Sequence, residues 1–284
     1  MIPDLIFDVG MHNGDDTAYY LYRGFRVVAV EANPALVARG AERFRREIAD
    51  GRLTIVNVAV ADQSGVLPFW ICDAQSEWSS FDREIAARDG SAHHAIDVQS
   101  VTFDTLLGQY GVPHYLKIDI EGNDHLCVTA LRAPDLPVFL SVEGSPGTVA
   151  LLPRLRDLGY SGFKWISQST LLPLEVPPAR EQRRFELAHR IAHADGWPAS
   201  IVRRLAWRWL EPALEGPRVR PGWQFPLGSS GPFGEDTPGR WLSYEELRRT
   251  YEHYSERIRR REPSLFWDQR GYSFWTDFHA RRDP

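Results

Sequence analysis

One stretch near the start of the chain, residues 5–33, limits its possible folds more than any other. Leu5, Ile6 and Phe7 form a short apolar run that stops at Asp8 and is followed by Gly10 and Gly14. That is the pattern of a buried parallel strand ending in a tight turn. Asp15 and Asp16 suit the first turn of a helix, where backbone N–H groups lack partners, and Gly24 suits its left-handed end. Residues 26–30 read as a second apolar strand with Glu31 at its carboxyl end and Ala32 beside it. A strand, helix, strand unit with a glycine loop and an acid on the next strand tip predicts an α/β fold that binds a nucleoside. The acid takes two ribose hydroxyls and the glycines let the ligand approach the backbone. A dinucleotide fingerprint needs glycine where this chain has His12, which disfavours a nicotinamide or flavin enzyme. Asp8 ahead of the loop disfavours a phosphate and favours a cation, such as the amino group or sulfonium of S-adenosylmethionine. The competing reading is a plain turn in some other α/β fold.

Downstream, Asn33 and Pro34 are a good cap and first residue for a helix reaching about residue 49. Residues 53–60 read as a third strand, the turn at 62–65 leads to an extra strand at 66–71, and backbone at Ala59 and Val60 is placed to flank an adenine. Residues 72–94 are polar and poorly periodic, a candidate functional loop in which Ser79 and Ser80 could touch an acceptor. A strand at 96–101 and a short helix capped by Thr102 follow. In residues 115–122, YLKIDIEG, alternation puts Lys117, Asp119 and Glu121 on one face. Burying an unpaired charge is costly, so Lys117 is expected to pair with Asp8 on the neighbouring strand, with Asp119 and Glu121 near the open tip. A fifth strand at 138–142 ends at Glu143, a helix covers 149–158, and a sixth strand covers 163–166.

Taken together, the segments DVGMHNG, VVAVEANP, NVAVADQSG, YLKIDIEGND and FLSVEGS resemble the FkbM family of S-adenosylmethionine-dependent methyltransferases, in order and spacing over about residues 4–168. The resemblance implies a class I methyltransferase fold, a Rossmann-like seven-stranded sheet with one antiparallel strand. It also implies methyl transfer from S-adenosyl-L-methionine, usually to oxygen, on sugars, polyketides or other small molecules. The matching cofactor positions are Asp8, Gly10, His12, Asn13, Gly14, Glu31, Ala32, Ala59, Val60 and Asp119. Two departures, His12-Asn13 and Asn123-Asp124, leave the acceptor open. A sugar hydroxyl needs its proton accepted as the new bond forms. Asp119 is the first choice of base, with Glu121, Glu143 and His12 in reserve. A divalent ion such as magnesium, held by neighbouring acids, could replace the base, although no metal-site spacing stands out. The alternative to an enzyme is a non-catalytic, methyltransferase-like binding or regulatory module, against which intact Asp119 and Glu143 argue.

At 284 residues and 43% hydrophobic, the chain can hold one large α/β domain with a sizeable insertion. A net charge of −5 argues against nucleic-acid binding through bulk charge. Cys72 and Cys127 form no disulfide framework, no leader precedes Ile2, and no apolar run approaches the ~20 residues that span a bilayer. The expectation is a cytoplasmic protein without stable membrane insertion. Of ten tryptophans, seven lie beyond residue 190. There Ile201, Val202, Leu205, Ala206 and Trp209 share a helical face opposite Arg203, Arg204 and Arg208, either a membrane-surface helix or one packed on its own domain. Ser243 and Glu246 form a capping box ahead of a helix with Leu247, Tyr251, Tyr254 and Ile258 as its buried stripe. Residues 227–236 read as a shaped glycine-rich loop, and 273–280, with Trp275, Asp277 and His279 on one face, as the seventh strand. This divides the chain into a core at 1–169, an insertion at 170–270 and a last strand with tail at 271–284. The insertion is expected to be a lid for a small-molecule, polyol or glycosyl acceptor, with Glu235, Asp236, Trp275, Asp277 and His279 as candidate contacts.

Overall fold

Side chains from Leu5 to Val9 are all buried, which only a strand covered on both faces can achieve. That strand, β1 (Ile2–Val9), has parallel neighbours on either side, β2 (Arg26–Val30) and β7 (Pro113–Ile118). The computed structural model describes residues 1–192, 223–226, 228–264 and 275–283. Beyond β2 lies β3 (Leu53–Val56), and beyond β7 lies β8 (Phe139–Glu143), both parallel. With β9 (Tyr160–Ser167) and β10 (Thr276–Arg282) the seven-stranded sheet runs β3-β2-β1-β7-β8-β10-β9. Hydrogen bonds fix the direction of the last strand. Gln168, just past β9, donates to the Trp275 carbonyl just ahead of β10, whereas Ser161 at the start of β9 meets Asp283 beyond the end of β10. β10 therefore runs antiparallel to β9, and the sheet is the mostly parallel, seven-stranded one with one antiparallel strand that the sequence resemblance implies.

Chain order reverses between β1 and β7, so the crevice at their carboxyl ends is the switch point where α/β folds bind ligands. α1 (Asp15–Tyr22) starts there from Gly14, with Asp15 and Asp16 in its first turn. The helix expected to reach residue 49 breaks into α2 (Pro34–Arg43) and α3 (Arg45–Ala49) at Phe44. The Phe44 ring is buried so close to Gly14 that a Cβ there would lie 2.6 Å from it. The strand expected over 53–60 also divides: Asn57 leaves the ladder and donates to the carbonyls of Glu31 and Ala32. β4 (Ala59–Val60) then joins a separate three-stranded sheet with β5 (Gly65–Cys72) and β6 (His93–Val101), ordered β4-β6-β5. Between β5 and β6 lies α4 (Arg83–Ala86), and α5 (Phe103–Tyr110), capped by Thr102, leads into β7. α6 (Asp124–Ala130) and α7 (Pro146–Asp157), the latter capped by Ser145, follow β7 and β8.

Contacts divide the chain into two units, Met1–Ser161 with His279–Pro284, and Gly162–Phe278. The second contains α8 (Ala179–Ala192) and α9 (Tyr244–Arg260). The Ser243 and Glu246 capping box is present, and Leu247 and Tyr254 are buried, whereas Ile258 is exposed. Trp165 stacks on Phe278 with ring centres 5.4 Å apart and is flanked by Tyr251 and Tyr254. The Arg-rich amphipathic stretch at 201–209, Leu227 and Ser273 lie outside the described residues. No described helix is long and apolar enough to cross a membrane.

Candidate active site

At the switch point Asp8 and Lys117 face each other in register on β1 and β7, with Asp8 Oδ1 3.2 Å from Lys117 Nζ. Asp119 Oδ2 is 3.5 Å and Asp16 Oδ2 4.0 Å from the same ammonium, which also donates to the Gly10 carbonyl at 2.7 Å. Thr17 donates to Asp8 Oδ2 at 2.6 Å. Burial works against the Lys117 ammonium, yet Asp8, Asp119 and Asp16 together hold its pKa well above the usual lysine value. Three carboxylates around one ammonium leave this end of the sheet net negative. The two strand tips touch: Asp119 N donates to the Val9 carbonyl, and a Cβ on Gly10 (φ +89°) would lie 1.8 Å from the Asp119 carbonyl oxygen. Only glycine fits there.

On the β2 side, Glu31 is buried and accepts a backbone N–H on each carboxylate oxygen, from His12 and from Asn33, both at 2.8 Å. Burial raises its pKa and these two bonds oppose the rise. Each oxygen retains further acceptor capacity. Ala32 and Ala59 border a small apolar cluster with Phe69, Val98 and Phe81. Asn123 on the turn after β7 donates to the Val60 carbonyl at 3.0 Å, so Glu31, Ala32, Ala59 and Val60 edge the region that also contains Asp119. Asn13 is spent locally, its Oδ1 accepting from Asp15 N.

The 72–94 segment closes on the same region. His12, at φ +51°, brings Nε2 within 2.7 Å of Ser76 Oγ and 3.8 Å of Glu77. Ser79 Oγ accepts from Cys72 N. Ser80 Oγ donates to the Glu121 carbonyl at 2.6 Å, and Arg88 donates to Glu121 Oε2 at 3.2 Å. Burial, reinforced by the charge of Asp119, pushes the Glu121 carboxyl up to about 7, against the opposing pull of Arg88. Asp124, buried and raised in pKa chiefly for that reason, accepts from Ile120 N and Gly122 N and so braces this turn. Reasoning from sequence passed over Ser76, Arg88 and Thr17, took Asp16 only as an acid of a helix's first turn, and noted Asp124 only as a departure from the family pattern. An aperiodic loop gives no pattern by which to single out Ser76 or Arg88.

Glu143, at the tip of β8, receives the Thr148 hydroxyl on its carbonyl. In the second unit Glu235 accepts from Trp241 Nε1 at 3.0 Å, and Asp236 closes a short 3₁₀ turn onto Phe233. Trp275 is exposed, Asp277 is buried and receives Gln168 Nε2 at 2.9 Å, and His279, counted in the first unit, is buried. Among the described residues no group of three or more His, Cys, Asp or Glu side chains is arranged to hold a metal ion.

The family described as Methyltransferase FkbM domain matches residues 8–160. Among solved structures, the chain is similar to the methyltransferase FkbM of Methylobacillus flagellatus KT, at 16% identity and a TM-score of 0.35, covering 50% of this chain and 32% of that one. It is also similar to the C-terminal domain of precorrin-6Y C5,15-methyltransferase from Rhodobacter capsulatus (12%, TM-score 0.36, 59% of this chain and 68% of that one). A third likeness is to precorrin-6y C5,15-methyltransferase from Geobacter metallireducens GS-15 (14%, TM-score 0.33, 60% and 71%). The chain thus spans about a third of the length of the Methylobacillus protein. No curated protein matches it.

Proposed function

We propose, given that this chain belongs to the FkbM methyltransferase family, that it binds S-adenosyl-L-methionine at the tips of β1, β2 and β7 and methylates a hydroxyl on a sugar or other small molecule. The observation that carries this is the donor set. Glu31, held by two backbone N–H groups with acceptor capacity to spare, suits a ribose diol, and the surplus of carboxylate around Lys117 suits a ligand bearing an ammonium and a sulfonium. The residues present therefore fit the cofactor. Bound there, it would supply an electrophilic methyl group.

The chain's own contribution is position and charge. Gly10 and Gly14 keep the first turn low, the Asp8–Lys117 pair locks β1 to β7, and Ala32, Ala59 and Val60 give an adenine an apolar edge. Asp119, about a third exposed on its side chain, is the acid of the Lys117 group with most access to a ligand's ammonium. His12 and Glu143 stand as further groups toward the acceptor. Residues 170–270 are assigned to acceptor selection through Glu235, Asp236 and the aromatic side chains of that unit. Free, buried Cys72 and Cys127 support a reducing, cytoplasmic setting.

Calorimetry with S-adenosylhomocysteine tests the reading: wild type should bind, and Glu31→Ala should lose about tenfold or more in affinity. No binding by wild type would sink it. Transfer of labelled methyl into a metabolite extract separates an enzyme from a binding module, and chelator inhibition reversed by magnesium would reveal a metal requirement.

A further inference from the structure

We propose that Glu121, rather than Asp119, accepts the proton of the acceptor hydroxyl, with Arg88 and Ser80 as its positioning residues. The proposal rests on the methyl-transfer reading above. Asp119 is one of three counter-charges to a buried ammonium, and protonating it would withdraw part of that compensation from Lys117. Glu121 carries no such duty. Its Oε2 takes Arg88, while its Oε1 takes no hydrogen-bond partner among the described residues, on a side chain that is 12% exposed. One oxygen is anchored and the other is available.

The turn that carries Glu121 is built to hold it. Its φ of +42° puts a non-glycine residue in the left-handed region, a conformation that persists only where the surroundings impose it. Ser80 Oγ grips the Glu121 carbonyl, and Asp124 takes the amides of Ile120 and Gly122 on either side. The side chains of Ile85 and Ser80 lie against Gly122, 3.2 and 3.7 Å from where a Cβ would stand. Arg88 is itself oriented, its guanidinium 5.9 Å from the centre of the Trp78 ring. Thus one segment, residues 76–90, fastens both the backbone and the carboxylate of a single acid. Groups facing that carboxylate are Arg88 from the loop, Asp119 from its own turn and Asp124 from α6.

In the transfer, the acceptor oxygen would gain its bond to the methyl carbon as the methyl–sulfur bond breaks, with sulfur keeping that electron pair and leaving as the thioether of S-adenosylhomocysteine, while the hydroxyl proton passes to Glu121 Oε1 and turns its carboxylate into a carboxylic acid. The proton returns to water once product has left. A carboxyl poised near neutrality serves both halves of that exchange.

The test uses the whole chain in two measurements. In transfer of labelled methyl from S-adenosylmethionine into a metabolite extract, Glu121→Gln should lower the rate by about 100-fold or more while S-adenosylhomocysteine affinity stays within about threefold of wild type. Arg88→Ala should lower it about tenfold, Arg88→Lys should restore part of the loss, and Asp119→Asn should act mainly on cofactor affinity. Transfer by Glu121→Gln near the wild-type rate overturns the proposal. Independently of any acceptor, carbon NMR of the S-adenosylhomocysteine complex should find the Glu121 carboxyl titrating well above the ordinary glutamate range, and higher still in Arg88→Ala. Titration in the ordinary range overturns it as well. Failure of wild type to bind S-adenosylhomocysteine would instead strike the underlying cofactor reading, which calorimetry reports separately.

Discussion

Two acids sit at the tips of the two strands that flank β1 and are held in opposite ways. Glu31 on β2 takes both of its protein hydrogen bonds from backbone N–H groups close in the chain, so its placement is fixed once the first strand, helix, strand unit forms. Glu121, past β7, depends on Ser80 and Arg88 from a loop between two strands of a different sheet. The first arrangement is rigid and suits recognition of a constant ligand. The second joins a titratable group to a replaceable neighbour, which suits a reaction step and its adjustment to a particular acceptor.

That contrast can be broken at its shared foundation or sharpened at either end. The largest effect is expected from Lys117→Met, which leaves three carboxylates at the junction of β1 and β7 without their ammonium. Stability in urea should fall by about 3–5 kcal/mol, with loss of both sites. Glu31→Gln keeps the shape of the side chain but reduces acceptor strength. It should weaken S-adenosylhomocysteine binding by about 1.5–3 kcal/mol in calorimetry and leave the Glu121 titration unchanged. A third prediction concerns pH. Glu121 has a folded-state pKa raised to about 7, so its stabilising contribution is complete below the ordinary glutamate pKa and is lost as pH rises through about 7. Urea midpoints compared at pH 5 and pH 8 should therefore change less in Glu121→Gln than in wild type, by on the order of 2 kcal/mol. The smallest effect is expected from Asn57→Ala, which removes two bonds to the carbonyls at the β2 tip. A stability loss of about 1 kcal/mol with a modest drop in cofactor-product affinity would mark Asn57 as a brace of the Glu31 side alone.

The parts of this molecule that repeat a local rule could be read from the chain. β1, its glycine turn, Glu31, the KID strand and the closing strand all announce themselves through apolar runs, alternation or helix caps. What escaped was what depends on contacts between distant segments. The break at Phe44 arises because its ring packs on Gly14, and nothing near residue 44 signals a stop. Asn57 diverts the chain into a second sheet by bonding to residues 31 and 32, a pull invisible in a run of strand-forming side chains. Ser76 and Arg88 belong to the same class, being ordinary loop residues until the fold carries them to His12 and Glu121. Of the candidate site, the grouping around Glu31 and Lys117 was legible because it is built from adjacent elements. The surroundings of Glu121 were legible only as a list of acids without their partners.

The last strand adds a consequence in time. β10 lies inside the sheet, between β8 and β9, yet residues 168–275 separate β9 from it along the chain. On a ribosome, β9 would emerge long before its neighbour exists, and β8 would meanwhile present an unpaired edge to anything nearby. The sheet can be completed only once residues 276–282 have been made, so a chain cut short after residue 275 should expose that edge and aggregate rather than fold. Residues 276–282 thus act as a checkpoint on the integrity of everything synthesised before them.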